Sequence, residues 1–230
     1  MTNLATQNLQ ESFSNCFWDQ LYTGFQARDI DINELDKWTH SAMFVLHLRL
    51  LFNKNYVEAL KKAKNKIINK QHLISSVFKS DFLHVKLISM TPERSLPLHD
   101  HPGTSGSMMV ISGRVHAIAC EQEAPRNGNQ TRCLLKVVKN TTLYTGDSCC
   151  FTETQQNIHS FKALTERAVI IIAHVNPFAT NQQSYFFPAS PQQKLNTQIM
   201  TQRVRAQTLQ NFHKKIKEQS NETIIKATLI

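Results

Sequence analysis

The chain has 230 residues, with 26 Lys and Arg against 17 Asp and Glu and a formal charge of +9. Apolar residues make up 41% of it, and there are only 6 Gly and 7 Pro. That is ample material for a dry core, and it excludes collagen-like, low-complexity and wholly disordered chains.

The first ten residues carry neither a basic run nor an apolar stretch, so no secretion signal is expected. No apolar run reaches the roughly 18 residues that cross a bilayer. A soluble, cytoplasmic protein with no membrane contact is expected. From about Glu11 to Ser76 the pattern is helical. Asp31 followed by Glu34 fits a capping box, and Leu35, Trp38, Ala42, Val45, Leu46 and Leu50 then follow a 3.6-residue period. Val57 to Ile68 predicts a second helix. His40 and His47 lie seven apart on the first helix and are read as structural or surface histidines rather than ligands.

From Val77 the period shortens. The segment Phe82 to Ile88 is β-prone, and further short runs follow at Ser107 to Ile111, Arg114 to Cys120, Cys133 to Val138 and Asp147 to Thr152. Ile158 to Ala163, Ala168 to Val175 and Ser184 to Phe187 complete the series. Pro102-Gly103, Ser112-Gly113, Asn127-Gly128 and Thr145-Gly146 punctuate them, which predicts an antiparallel sandwich or barrel. After Pro188 the chain is polar again. Leu195, Ile199, Val204, Leu209, Phe212 and Ile216 are spaced mostly as on a helix, though the steps on either side of Val204 are too long. A basic amphipathic helix is expected there. The organisation expected is 1–76 helical, 77–190 barrel and 191–230 C-terminal helix.

Five cysteines (Cys16, Cys120, Cys133, Cys149 and Cys150) form an odd set without Cys-x-x-Cys spacing, so buried free thiols are expected rather than disulfides. Basic residues crowd two segments, Lys61, Lys62, Lys64, Lys66 and Lys70, and Arg203, Arg205, Lys214, Lys215 and Lys217. Neither shows a nucleic-acid reading motif, so solvated helix faces are expected rather than a nucleic-acid surface.

The stretch that points to chemistry is Leu96-Pro97-Leu98-His99-Asp100-His101-Pro102-Gly103. In an extended strand, residues two apart project from one face. His99 and His101 can then reach one metal ion while Asp100 points away and orients a loop. His159, opening the strand Ile158 to Ala163, is a plausible distant partner. His116 and His174 are further candidates to line the pocket.

These residues resemble the cupin barrel, with its His-x-His motif and a third His in a later motif. Where cupins carry a metal-binding Glu, this chain has Gly106, and the glycine that follows in the cupin pattern falls at Gly113. That departure resembles the thiol dioxygenases, whose iron is bound by three neutral histidines. PLHDHPG together with Asn157-Ile158-His159-Ser160-Phe161-Lys162-Ala163 resembles the cysteamine dioxygenase / plant cysteine oxidase family over roughly Phe82 to Phe187. The resemblance implies a single cupin (double-stranded β-helix) barrel and Fe(II) on His99, His101 and His159. It also implies dioxygen-dependent oxidation of a thiol to the sulfinic acid, the thiol being a small aminothiol, a thiol acid or an N-terminal cysteine of a peptide.

Three departures bear on the substrate. Many members have an Asp in the strand after the third His, but Ala168 to Ala173 contains no acid. The usual Pro-Pro-Tyr appears as Asn176-Pro177-Phe178. Some members crosslink a Cys to a Tyr two residues on, and here Gln183 precedes Tyr185. Tyr185 is the candidate catalytic residue, either donating a hydrogen bond to bound oxygen or packing with Phe186 and Phe187. Arg94 and Arg114 are candidates to pair with a substrate carboxylate. The rival reading is a cupin without oxygenase activity that serves as a ligand-binding or regulatory module.

Overall fold

Asp31 starts the first described helix: its carboxylate accepts from the Asn33 amide at 2.9 Å, satisfying one of the donors a helix start leaves open. The computed structural model describes residues 31–65, 73–79, 81, 83–94, 96–123, 132–175, 183–188 and 198–205. Helix α1 (Ile32–Leu50) buries Leu35, Thr39, Ala42, Met43 and Leu46. Trp38 and Val45, expected on the buried face, are exposed instead. Glu34 pairs with Lys37 at 2.7 Å, so the cap is present without the reciprocal box. Helix α2 (Lys54–Asn65) buries Tyr56, Leu60 and Ala63, and the rest of the helix expected up to Ile68 lies outside the described residues. The histidines of α1 are structural, His40 meeting Ser148 Oγ at 3.1 Å and His47 the Tyr56 hydroxyl at 2.6 Å.

The strands are β1 (Leu73–Lys79), β2 (Leu83–Met90), β3 (Leu96–His99), β4 (Ser105–Ser112), β5 (Arg114–Gln122) and β6 (Arg132–Tyr144). They continue as β7 (Ser148–Phe151), β8 (Ile158–Ala163), β9 (Ala168–Val175), β10 (Ser184–Pro188) and β11 (Gln198–Arg205). One sheet runs β1-β2-β9-β4-β7; the other, β10-β11-β6-β5-β8-β3, closes on itself. This is the double-stranded β-helix barrel expected. Strand β1 begins at Leu73, inside the stretch expected to be helical.

Alternation along the five-stranded sheet sorts its residues between two clusters. Val85, Leu87, Met109, Cys150, Val169 and Ile171 pack under the helices. Ile88, Met90, Met108, Val110, Cys149, Ile170 and Ile172 face the barrel interior with Val115, Ala117 and Phe161. Cys149 and Cys150 therefore point to opposite faces. Both are free and buried, as is Cys120, while Cys133 is buried too, and burial pushes the Cys149 thiol up to about 12. Cys16 lies outside the described residues. Gly113 turns β4 into β5 at φ 85°, where a Cβ would lie 2.4 Å from the Arg167 carbonyl.

The helix expected after Pro191 is corrected over Gln198–Arg205, which is strand β11, paired with β6 and β10. Ile199 and Thr201 are buried between exposed Gln198, Met200 and Gln202, a period of two. The remainder of the expected helix, with Lys214, Lys215 and Lys217, lies outside the described residues.

Candidate metal centre

His99 ends β3, His101 follows it in the turn, and His159 is the second residue of β8. The register sets His99 directly opposite His159. All three are buried, and their ligand nitrogens lie within 4.8 Å of one another. His101 Nε2 is 3.1 Å from His159 Nε2. The Nδ1–H of His99 donates to the Pro97 carbonyl at 2.6 Å and that of His159 to the Gln156 carbonyl at 3.2 Å. In that tautomer both Nε2 atoms present a lone pair inwards. Burial, with His99 as the second cause, lowers the His159 pKa to about 3, and burial holds His101 well below the usual range. His101 and His159 are therefore neutral at neutral pH, the state in which imidazoles ligate metals. The three residues could hold one transition-metal ion.

Among the described residues no carboxylate joins them, and Gly106 stands where one would be carried. It pairs with Phe151 on one side and His174 on the other. A Cβ there would meet the Ala173 carbonyl and Phe151 Cζ, each at 2.7 Å. The Phe151 ring fills that space, stacked on His101 with centroids 5.0 Å apart and 4.6 Å from His159. The carboxylate position is thus occupied by an aromatic ring as well as lacking an acid.

Two clamps hold the ligand-bearing turn. Buried Asn157 accepts from the His101 amide at 2.6 Å. Its side-chain amide donates to the carbonyls of His101 (3.0 Å), Thr152 (3.0 Å) and Glu153 (3.2 Å), fastening this turn to the loop before β8. Asp100, fully buried, points away from the histidines: its Oδ1 accepts from the Ser184 amide at 2.7 Å. Arg203 lies 3.9 Å from the other carboxylate oxygen and donates to Ser184 Oγ at 3.0 Å. The expected loop-orienting use of Asp100 is what the geometry shows, and Arg203, expected on a solvated face, turns inwards to reach it.

His174 is drawn into the site, its ring 4.8 Å from that of His101, and burial depresses its pKa further than any charge does. His116 is not, since it meets Asn140 Oδ1 at 2.7 Å while its neighbours Val115 and Ala117 face the core. Arg114 is exposed at the start of β5, and Arg94 belongs to a short turn with Thr91. Tyr185 pairs with His99, their rings 6.2 Å apart. Phe151, Asn157 and Arg203 were not anticipated. Only Asn157 carried a local signal, its place two residues before His159.

The family model PCO_ADO matches residues 21–227 of the chain. No curated protein matches it in sequence. Among solved structures, TT1209 from Thermus thermophilus is similar, with 14% identity, coverage of 51% of this chain and 93% of the other, and a TM-score of 0.39. A protein with a double-stranded β-helix domain from Klebsiella pneumoniae has 20% identity, coverages of 50% and 84%, and a TM-score of 0.37. An RmlC-like cupin from Desulfovibrio desulfuricans has 12% identity, coverages of 50% and 92%, and a TM-score of 0.36.

Proposed function

The chain belongs to the PCO_ADO family, that of the cysteamine dioxygenases and plant cysteine oxidases, and from that premise we propose that it is an iron(II)-dependent thiol dioxygenase. The reaction is RS⁻ + O₂ → RSO₂⁻. Both oxygen atoms end on sulfur, which is oxidised as dioxygen is reduced, so no outside reductant is needed. The single observation behind this reading is the meeting of three buried imidazoles beside Gly106, where Phe151 fills the space a side chain would need. When bound by His99, His101 and His159, iron supplies the redox chemistry that dioxygen needs and the charge that holds a thiol as thiolate.

The protein's own residues do the rest. The Pro97 and Gln156 carbonyls fix the His99 and His159 tautomers, and Asn157 sets the His101 backbone. Phe151 excludes water from one side, which strengthens every electrostatic contact inside. Tyr185, beside His99, is assigned to donate a hydrogen bond to the oxygen being transferred. The partners are dioxygen and a thiol. The buried free cysteines suit a reducing, cytoplasmic setting. Among the described residues no helix is long and apolar enough to cross a membrane.

The test is anaerobic iron loading followed by labelled dioxygen and mass spectrometry of the product. The substrates are cysteamine, cysteine, 3-mercaptopropionate and a Cys-initiated peptide. A sulfinic acid carrying both labelled atoms, absent with His101→Ala, is expected from at least one of them. No thiol-dependent oxygen uptake from any would overturn the reading in favour of a binding module.

A further inference from the structure

One wall of the barrel interior carries a lysine, Lys86, that no acid pairs with among the described residues. On β2, Leu83, Val85 and Leu87 pack beneath the helices while Ile88 and Met90 face the interior. The two-residue period therefore turns Lys86 and His84 inwards as well. The register places His84 opposite His174, and Lys86 opposite Ile172. His174 stands against His101. The charge of Lys86 is felt at both of those histidines.

On its other side Lys86 faces Ser76 of the edge strand β1, where Ser76 and Ile74 are exposed. The interior face of β2 thus runs from the dry core, past Lys86, to the open edge of the sheet. Lys86 is thus the diagonal neighbour of His174 on that face, with the edge strand on its other side. It is half-buried, and none of the ion pairs among the described residues involves it. A cation partly withdrawn from water without a counter-charge is costly, and Lys79 nearby adds to the cost. The acid next to the ligands, Asp100, is turned towards Ser184 and Arg203. Strand β9, which Lys86 faces, has no acid at all.

We propose that Lys86 is a specificity-determining residue that binds the carboxylate of the substrate, so that the preferred thiol is a short thiol acid rather than an aminothiol or an N-terminal cysteine. A carboxylate gains a charge-assisted hydrogen bond and relieves the uncompensated cation, whereas an ammonium group meets like charge with nothing to offset it. Lys86 takes the part for which the sequence offered Arg94 and Arg114. The inference rests on the dioxygenase reading above.

The discriminating pair is 3-mercaptopropionate and cysteamine, which share the HS–CH₂–CH₂ unit and differ in the charge at the far end. Oxygen uptake by the iron-loaded protein gives kcat/KM for each, and calorimetry on the zinc-loaded protein, which does not turn over, gives their affinities. Wild type is expected to favour 3-mercaptopropionate by about tenfold or more in both readouts, the size of a hydrogen bond to a charged group. Lys86→Gln is expected to collapse that ratio mainly through KM, and Lys86→Arg to keep it. Cysteamine or a Cys-initiated peptide used as well as 3-mercaptopropionate, or a preference unchanged in Lys86→Gln, overturns the carboxylate assignment and leaves the dioxygenase reading standing. Uptake with neither thiol, alongside a Lys86-dependent calorimetric preference for 3-mercaptopropionate, does the reverse.

Discussion

Along the interior face of β9, Ala168, Ile170 and Ile172 pack into an apolar cluster, whereas His174, next on the same face, stands against His101. The barrel interior thus has two ends. At one, Met90, Val110, Val115, Leu143 and Ile170 exclude water with nothing polar to satisfy. At the other, four buried histidines and Asn157 are packed just as tightly, but with side chains whose desolvation opposes folding. The difference teaches where stability and function reside. The apolar end and the helix-covered outer face supply the folding free energy, and that surplus lets the polar end hold neutral imidazoles together.

Four changes break or sharpen this contrast. Ile170→Ala, at the centre of the apolar end, is expected to cost about 2–5 kcal/mol in chemical denaturation. The surviving folded protein should bind metal as wild type does. Asn157→Ala removes the side chain that accepts from the His101 amide and should cost up to about 3 kcal/mol. Unlike the first change, it should also weaken metal affinity, measured by competition with a chelator. Gly106→Ala forces Phe151 aside and should destabilise by about 1–3 kcal/mol, with Phe151→Leu in the same chain recovering part of the loss in thermal melts.

The fourth change is in pH, applied to the metal-free protein. The folded-state pKa of His159 is about 3 against an ordinary value of 6.5, and His101 and His174 are depressed too. Below pH 6.5 the unfolded chain takes up protons that the folded chain refuses. The contribution of His159 is therefore complete above that pH and is lost as pH falls towards 3, by about 1.4 kcal/mol per pH unit, and His101 and His174 add losses of the same sign. Unfolding titrations across that window should show the slope, and His174→Phe should lessen it by one proton's share.

The barrel and the triad were legible because their signals are local or directly repeated. Turn residues mark the hairpins, His99 and His101 are two apart, and His159 opens a short apolar strand. What stayed hidden depends on neighbours across strands. In the sequence His116 and His174 stand as equal candidates to line the pocket; only the register chooses His174, setting it opposite Gly106, a residue with no side chain to keep it from the site. Arg203 reads as part of a solvated basic face, yet the pairing of β10 with β11 turns it towards Asp100. Strand β11 was masked by apolar residues at Ile199 and Val204, five apart, a spacing that fits neither period and left the surrounding helical pattern to decide. Trp38 and Val45 share an apolar stripe with Leu35 and Ala42, but the sheet covers only the side bearing Leu35, Thr39, Ala42 and Met43.

The most direct test of the central claim is iron content after anaerobic loading and desalting, with X-ray absorption to identify the ligands, in wild type and in His99→Ala, His101→Ala and His159→Ala. The account predicts one iron per wild-type chain with three imidazole ligands and no protein carboxylate, and loss of tight binding in each variant. Full iron retention in any of the three variants, or a carboxylate ligand in the wild type, would contradict it.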